Sequence, residues 1–95
     1  IMNNFNNYIV EFLGTMFFLF VILYIGEPLA IGVALIIAIY LGGNISGGHF
    51  NPAVSVMMFL KKTLSRNDML LYILAQVLGG FCALQFYKLV EGTKA

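Results

Sequence analysis

The sequence predicts an all-α membrane protein, with three transmembrane helices plus one re-entrant half-helix. Three observations predict it. Charged residues make up 9% of the 95 positions and hydrophobic ones 61%, whereas soluble domains carry about 25% charged residues. Apolar runs at about residues 8–25, 28–42 and 69–90 approach or reach the length that crosses a hydrocarbon core. Between the second and third runs stands "GGNISGGHFNPAVSVMMFLKK", residues 42–62, which breaks off in small and polar residues, restarts at Asn-Pro and meets Lys-Lys. About ten residues of helix cover roughly 15 Å, half the thickness of a bilayer core.

The first run, Tyr8 to Ile25, is interrupted only by Glu11, Gly14 and Thr15. The asparagine-rich start before it lacks the positive flank of a secretory signal, so the run is expected to be a retained span. "GEP" at 26–28 reads as a tight exterior turn, with Pro28 at the first position of the second helix. Along that helix Ala30, Ala34, Ala38 and Gly42 recur every four residues, a small-residue stripe that admits another helix at close range. The last run carries a similar stripe at Ala75, Gly79 and Ala83. The chain is expected to be one domain over 1–95, with its re-entrant loop and half-helix at about 43–60.

Irregular backbone at membrane depth is tolerated only where protein buries it or where it lines a wet cavity, because a peptide group left without a partner in lipid costs several kcal/mol. "GGNISGGHF" therefore cannot face acyl chains. Asn51 is a strong N-cap type and Pro52 is favoured at the first helical position, so a helix is expected to start there. Lys61 and Lys62 end it among the headgroups, which leaves its amino end near the midplane. That end carries about half a positive charge from the helix macrodipole. If the Asn51 oxygen caps the helix, its NH2 group is free to donate into a cavity, and the carbonyls of Gly47, Gly48, His49 and Phe50 supply acceptors on the approach. Acceptors leading to a donor beside a positive helix end suit a neutral hydrogen-bonding solute and disfavour cations.

Other chemistries find little support. No nucleophile–base pair is placed for catalysis, so no enzyme is expected, and a net charge of +1 without a basic patch points to no nucleic acid. One histidine and one cysteine (Cys82) cannot assemble a zinc site of ordinary ligand count, so neither a metal nor another cofactor is expected.

These residues resemble the aquaporin and glycerol-facilitator family. "SGGHFNPAVS" is similar to that family's first-half signature SGxHxNPAVT, "EFLGT" in the first span to its ExxGT motif, and "YILAQVLGG" to its AQxxGA pattern. The resemblance implies half of an aquaporin-like fold, with Asn51, Pro52 and Ala53 as the pore-lining NPA box. It puts Ile31 where members usually place an aromatic of the selectivity filter, and Phe18 and Leu35 at apolar pore-wall positions. It makes Glu11 and His49 a buried pair that steadies the loop. Two departures stand out: Ile31 is aliphatic, and no second NPA box followed by an arginine occurs within these residues.

The family joins two halves of inverted topology, so the expected partners are the lipid bilayer, water and small neutral solutes, and a second half-channel. An inverted copy of the chain, forming an antiparallel homodimer, is the expected form of that half. Lys61, Lys62 and Arg66 lie on one face and Lys88 and Lys94 on the other, a bias small enough to admit either orientation. The alternative is a non-conducting half-channel fragment or regulatory scaffold that pairs with a separate aquaporin-like chain.

Overall fold

In a computed structural model, which describes residues 2–94 and the side chains of 4–92, the chain folds into four helices. They are α1 (Met2–Tyr24), α2 (Pro28–Ser46), α3 (Pro52–Leu60) and α4 (Arg66–Lys94). Three contain stretches long and apolar enough to cross a membrane: Asn4–Tyr24, Pro28–Ser46 and Arg66–Gly92. The fourth, α3, has nine residues and rises only about 14 Å. The molecule measures 47 × 23 × 20 Å, so its long axis matches a bilayer with its headgroups.

All three long helices extend beyond their expected ends. The asparagine-rich start belongs to α1, because the helix propagates past its apolar stretch and Tyr8 ties that end to α4 by donating to Asp68 Oδ1 at 2.5 Å. The second helix does not stop at Gly42. Its buried face continues the four-residue stripe through Ala34, Ala38 and Gly42 to Ser46, and Gly47, left-handed at φ 94°, then caps it by donating to the Gly43 carbonyl. The irregular loop is accordingly shorter than the expected 43–50. In α4, the Ser65 hydroxyl accepts from the Asp68 amide at 3.0 Å and starts the helix before the first expected residue, Met69. Lys94 closes α4, and its side chain lies outside the described residues.

Both small-residue stripes are used inside the chain. α1 is the central helix and packs against α2 on one side and α4 on the other. Ala34, Ala38 and Gly42 of α2 and Ala75, Gly79 and Ala83 of α4 are buried. The tightest approach to backbone is at Gly79, where a methyl would sit 2.8 Å from the Phe12 carbonyl oxygen and 3.1 Å from the Met16 amide. Backbone cannot swing aside as a side chain can. Gly79→Ala is expected to push α4 off α1 and destabilise the fold by about 1–3 kcal/mol, read as a lowered unfolding temperature in detergent. An unchanged temperature would contradict this packing.

Candidate functional site

Five residues, 47–51, connect α2 to α3 and carry the chain back into the body of the protein. Gly47 and Gly48 take the left-handed conformation, φ 94° and 67°, and Phe50 follows at φ 51°, unusual for a residue with a side chain. Phe50 is held there by its ring. It is 2% exposed and wedged between α1 and α2, where Gly14 and Gly42 leave room for it; a methyl at Gly14 would overlap the ring. Gly14 is the central residue of the Asn4–Tyr24 span, so the tip of the loop meets α1 halfway along its length.

Glu11 organises the loop from α1. It is fully buried, and four donors converge on its two oxygens. Oε2 accepts from the Ser46 hydroxyl at 2.7 Å and the His49 amide at 3.0 Å, and Oε1 from the Phe50 amide at 2.8 Å and the Gln76 side chain at 2.9 Å. The two amides and the Gln76 NH2 group can only donate, so both Glu11 oxygens serve as acceptors here. The same Gln76 nitrogen donates to Ser55 Oγ at 2.9 Å, so one amide of α4 is bonded to both α1 and α3. Tyr72 completes the frame by donating to the Ser46 carbonyl at 2.7 Å.

His49 sits differently from the expected buried pair. Only its backbone meets Glu11; its ring is half-buried, with Nδ1 2.8 Å from Ser55 Oγ and its centroid 5.0 Å from that of Tyr72. The loop's short turn points the side chain towards α3, so the ring bonds to the half-helix. Since Ser55 Oγ accepts from Gln76, its own proton can go to His49 Nδ1.

At the loop's end Asn51 is extended, φ −163° and ψ 125°, and its Oδ1 accepts from the Ala53 amide at 2.7 Å. Among the described residues its NH2 group has no partner, and no hydrogen bond reaches the carbonyls of Gly47, Gly48, His49 or Phe50. Asn51, Pro52 and Ala53 are exposed. Beside them lies a cavity of about 280 Å³, lined by Thr15 and Phe18 of α1, Gln76, Val77 and Gly80 of α4, and the loop tip. Phe18 thus joins Asn51 and Pro52, whereas Ile31 and Leu35, half-buried on α2, do not line this cavity.

Among the described residues two buried polar atoms in this region lack partners, Thr15 Oγ1 and Gln76 Oε1. A buried hydroxyl without a bond lowers stability relative to an apolar group of the same shape. Thr15→Val is therefore expected to leave the unfolding temperature unchanged or raise it by the equivalent of about 1 kcal/mol; a clear drop would mean the hydroxyl is bonded in the membrane.

Sequence reasoning missed Ser46, Ser55 and Tyr72; for Gln76 it expected a bond to a neighbouring helix or loop, and the structure has it bonded to Glu11 of α1 and Ser55 of α3. A signal existed for two of them. Ser46 continues the four-residue stripe of α2, and Ser55 stands one helical turn after Asn51, on the face of α3 that turns inward. Tyr72 carried none, because its bond to Ser46 spans 26 positions.

The family model described as Major intrinsic protein matches residues 22–94. The chain is 42% identical over 85 residues to glycerol uptake facilitator protein-like 6 of Lactiplantibacillus plantarum, a match covering 80% of this chain and 39% of the relative. It is 41% identical over 69 residues to aquaporin PIP2-1 of Arabidopsis thaliana, covering 73% and 24%. With aquaporin-10 of Homo sapiens it shares 49% identity over 55 residues, covering 58% and 18%. The chain therefore spans less than half the length of each of these relatives. No solved structure matches it at a significant level.

Proposed function

The chain belongs to the major intrinsic protein family, an integral membrane family, and we propose that it forms half of a passive channel for water and small neutral solutes such as glycerol. The observation that carries this is the exposed amino end of α3. It is headed by Asn51 with its NH2 group free, and Phe50 and Glu11 hold it at the middle of the α1 span. Exposed polar backbone at that depth requires water or protein against it. The helix dipole sets a positive potential there, which admits neutral solutes and repels cations.

In this reading Asn51 donates to a passing hydroxyl or water, and the free carbonyls of residues 47–50 accept from it. Phe18 supplies the apolar wall beside them; Leu35 and Ile31, on α2 outside this cavity, stand where the family resemblance puts further pore wall and the filter. Ile31 is aliphatic where the family resemblance expects an aromatic ring. A flexible aliphatic side chain leaves a wider constriction, which favours small polyols alongside water. Names among the relatives, glycerol uptake facilitator and aquaporin, fit the same solute class.

The open side of the site is closed by a second half in inverted orientation. Where this chain is the only protein present, that half is a second copy, placed so that the two Asn51 side chains meet across a two-fold axis. Light scattering of proteoliposomes under sucrose and then glycerol gradients tests conduction. Faster volume change than in empty vesicles is expected for both, and rates equal to empty vesicles with inserted protein would refute it. Chemical crosslinking in the same vesicles is expected to yield dimers, and monomers alone would remove the inverted pair.

A further inference from the structure

The turn between α3 and α4 holds a lysine where a glycine would relieve strain. Lys62 is left-handed, φ 71°, one residue beyond the Lys61 C-cap. The Thr63 amide donates to the Met58 carbonyl at 3.0 Å and the Lys62 amide to the Phe59 carbonyl at 2.9 Å. This is a Schellman closure, whose left-handed position is usually glycine because a Cβ there crowds the backbone. Strain kept at such a position points to something the side chain does.

Its surroundings say what that is. Lys61, Lys62 and Arg66 lie within six consecutive positions of one turn, and all three are exposed. Among the described residues no ion pair neutralises them. Asp68, the acidic residue closest in sequence, is engaged by the Tyr8 hydroxyl. The amino end of α4, starting at Arg66, adds its own positive potential. Resting on the membrane placement proposed above, the nine residues of α3 carry the turn about 14 Å from the midplane, the edge of the hydrocarbon core, from which a long lysine side chain reaches the headgroup phosphates.

We propose that the α3–α4 turn is a binding surface for the headgroup of an anionic phospholipid, with Lys62 held in its strained conformation to present an ammonium group to the phosphate. Each lysine near a charged membrane surface contributes enough to change affinity about fivefold. The surface acts independently of any conduction through the site at Asn51.

Native mass spectrometry of the detergent-solubilised chain, titrated with phosphatidylglycerol, phosphatidylcholine or inorganic phosphate, tests this. Phosphatidylglycerol is expected to bind more tightly than phosphatidylcholine, and inorganic phosphate is expected not to displace it. Lys62→Gly should weaken phosphatidylglycerol binding about fivefold while raising the unfolding temperature in detergent, because the left-handed strain is gone. Lys62→Arg should keep the affinity. Equal affinity for the two lipids, unchanged binding by Lys62→Gly, or displacement by inorganic phosphate would each overturn the proposal. A chain that binds phosphatidylglycerol through Lys62 yet fails to conduct would defeat the channel reading alone.

Discussion

Glu11→Ala is expected to abolish the folded state, seen as loss of the monodisperse peak and of cooperative thermal unfolding in detergent. The substitution strands four donors at once: the Ser46 hydroxyl, the His49 and Phe50 amides and the Gln76 side chain. Each buried donor left without its acceptor costs about 1–3 kcal/mol, because it cannot turn to water. The sum approaches the whole stability of an ordinary domain, about 5–15 kcal/mol. Glu11→Gln keeps the shape but replaces one acceptor by an NH2 group that faces two donors. A folded protein with a lower unfolding temperature is expected there. If Glu11→Ala unfolded at the parent temperature, the carboxylate would not be what holds the loop.

The second large effect concerns the seat of Phe50. Gly14→Ala forces the ring out from between α1 and α2, because the added methyl occupies the ring's own volume. Overpacking of this kind costs about 1–3 kcal/mol, and here it also displaces the loop tip, so under the proposed function conduction should fall with stability. Phe50→Ala opens a cavity in place of a ring that is 2% exposed, a loss of about 3–5 kcal/mol. The pair is the informative experiment. In Gly14→Ala/Phe50→Ala the methyl meets no ring, so the combined loss should fall short of the sum by about 1 kcal/mol or more. Strict additivity of the unfolding free energies would mean the two residues do not touch.

Helix ends were less legible than helix identities, for a local reason. Apolar length marked the three spans, yet the exposed ends of α1 and α4 are polar and carry no periodic signal. Only a cap reveals them, and Ser65 as the cap of α4 was masked by its charged neighbours. The end of α2 was misjudged because Gly43, Asn44 and Ser46 look like loop residues; Ser46 is kept helical by the Glu11 carboxylate on another helix, 35 positions away.

The same division runs through the site. Asn51 followed by Pro52 announced the start of α3 and its cap from local chemistry alone, since a side chain reaching two residues ahead needs no tertiary contact. Glu11, a lone acid in an apolar run, announced that something buried must bond to it. Which groups those were could not be read. His49 looked like its partner but offers only a backbone amide, while its ring goes to Ser55.

What the sequence determined by itself is therefore the membrane class, the spans, the half-length of α3 and the polarity of its exposed end, all of which follow from composition, spacing and neighbours within a helical turn. What only the tertiary structure decided is where that end is held and by what. Glu11, Gly14, Gly42, Ser55 and Gln76 act together only once α1, α2, α3 and α4 are side by side. Hydrogen bonds and steric fit between residues 21 to 65 positions apart depend on that packing, and no local pattern encodes it.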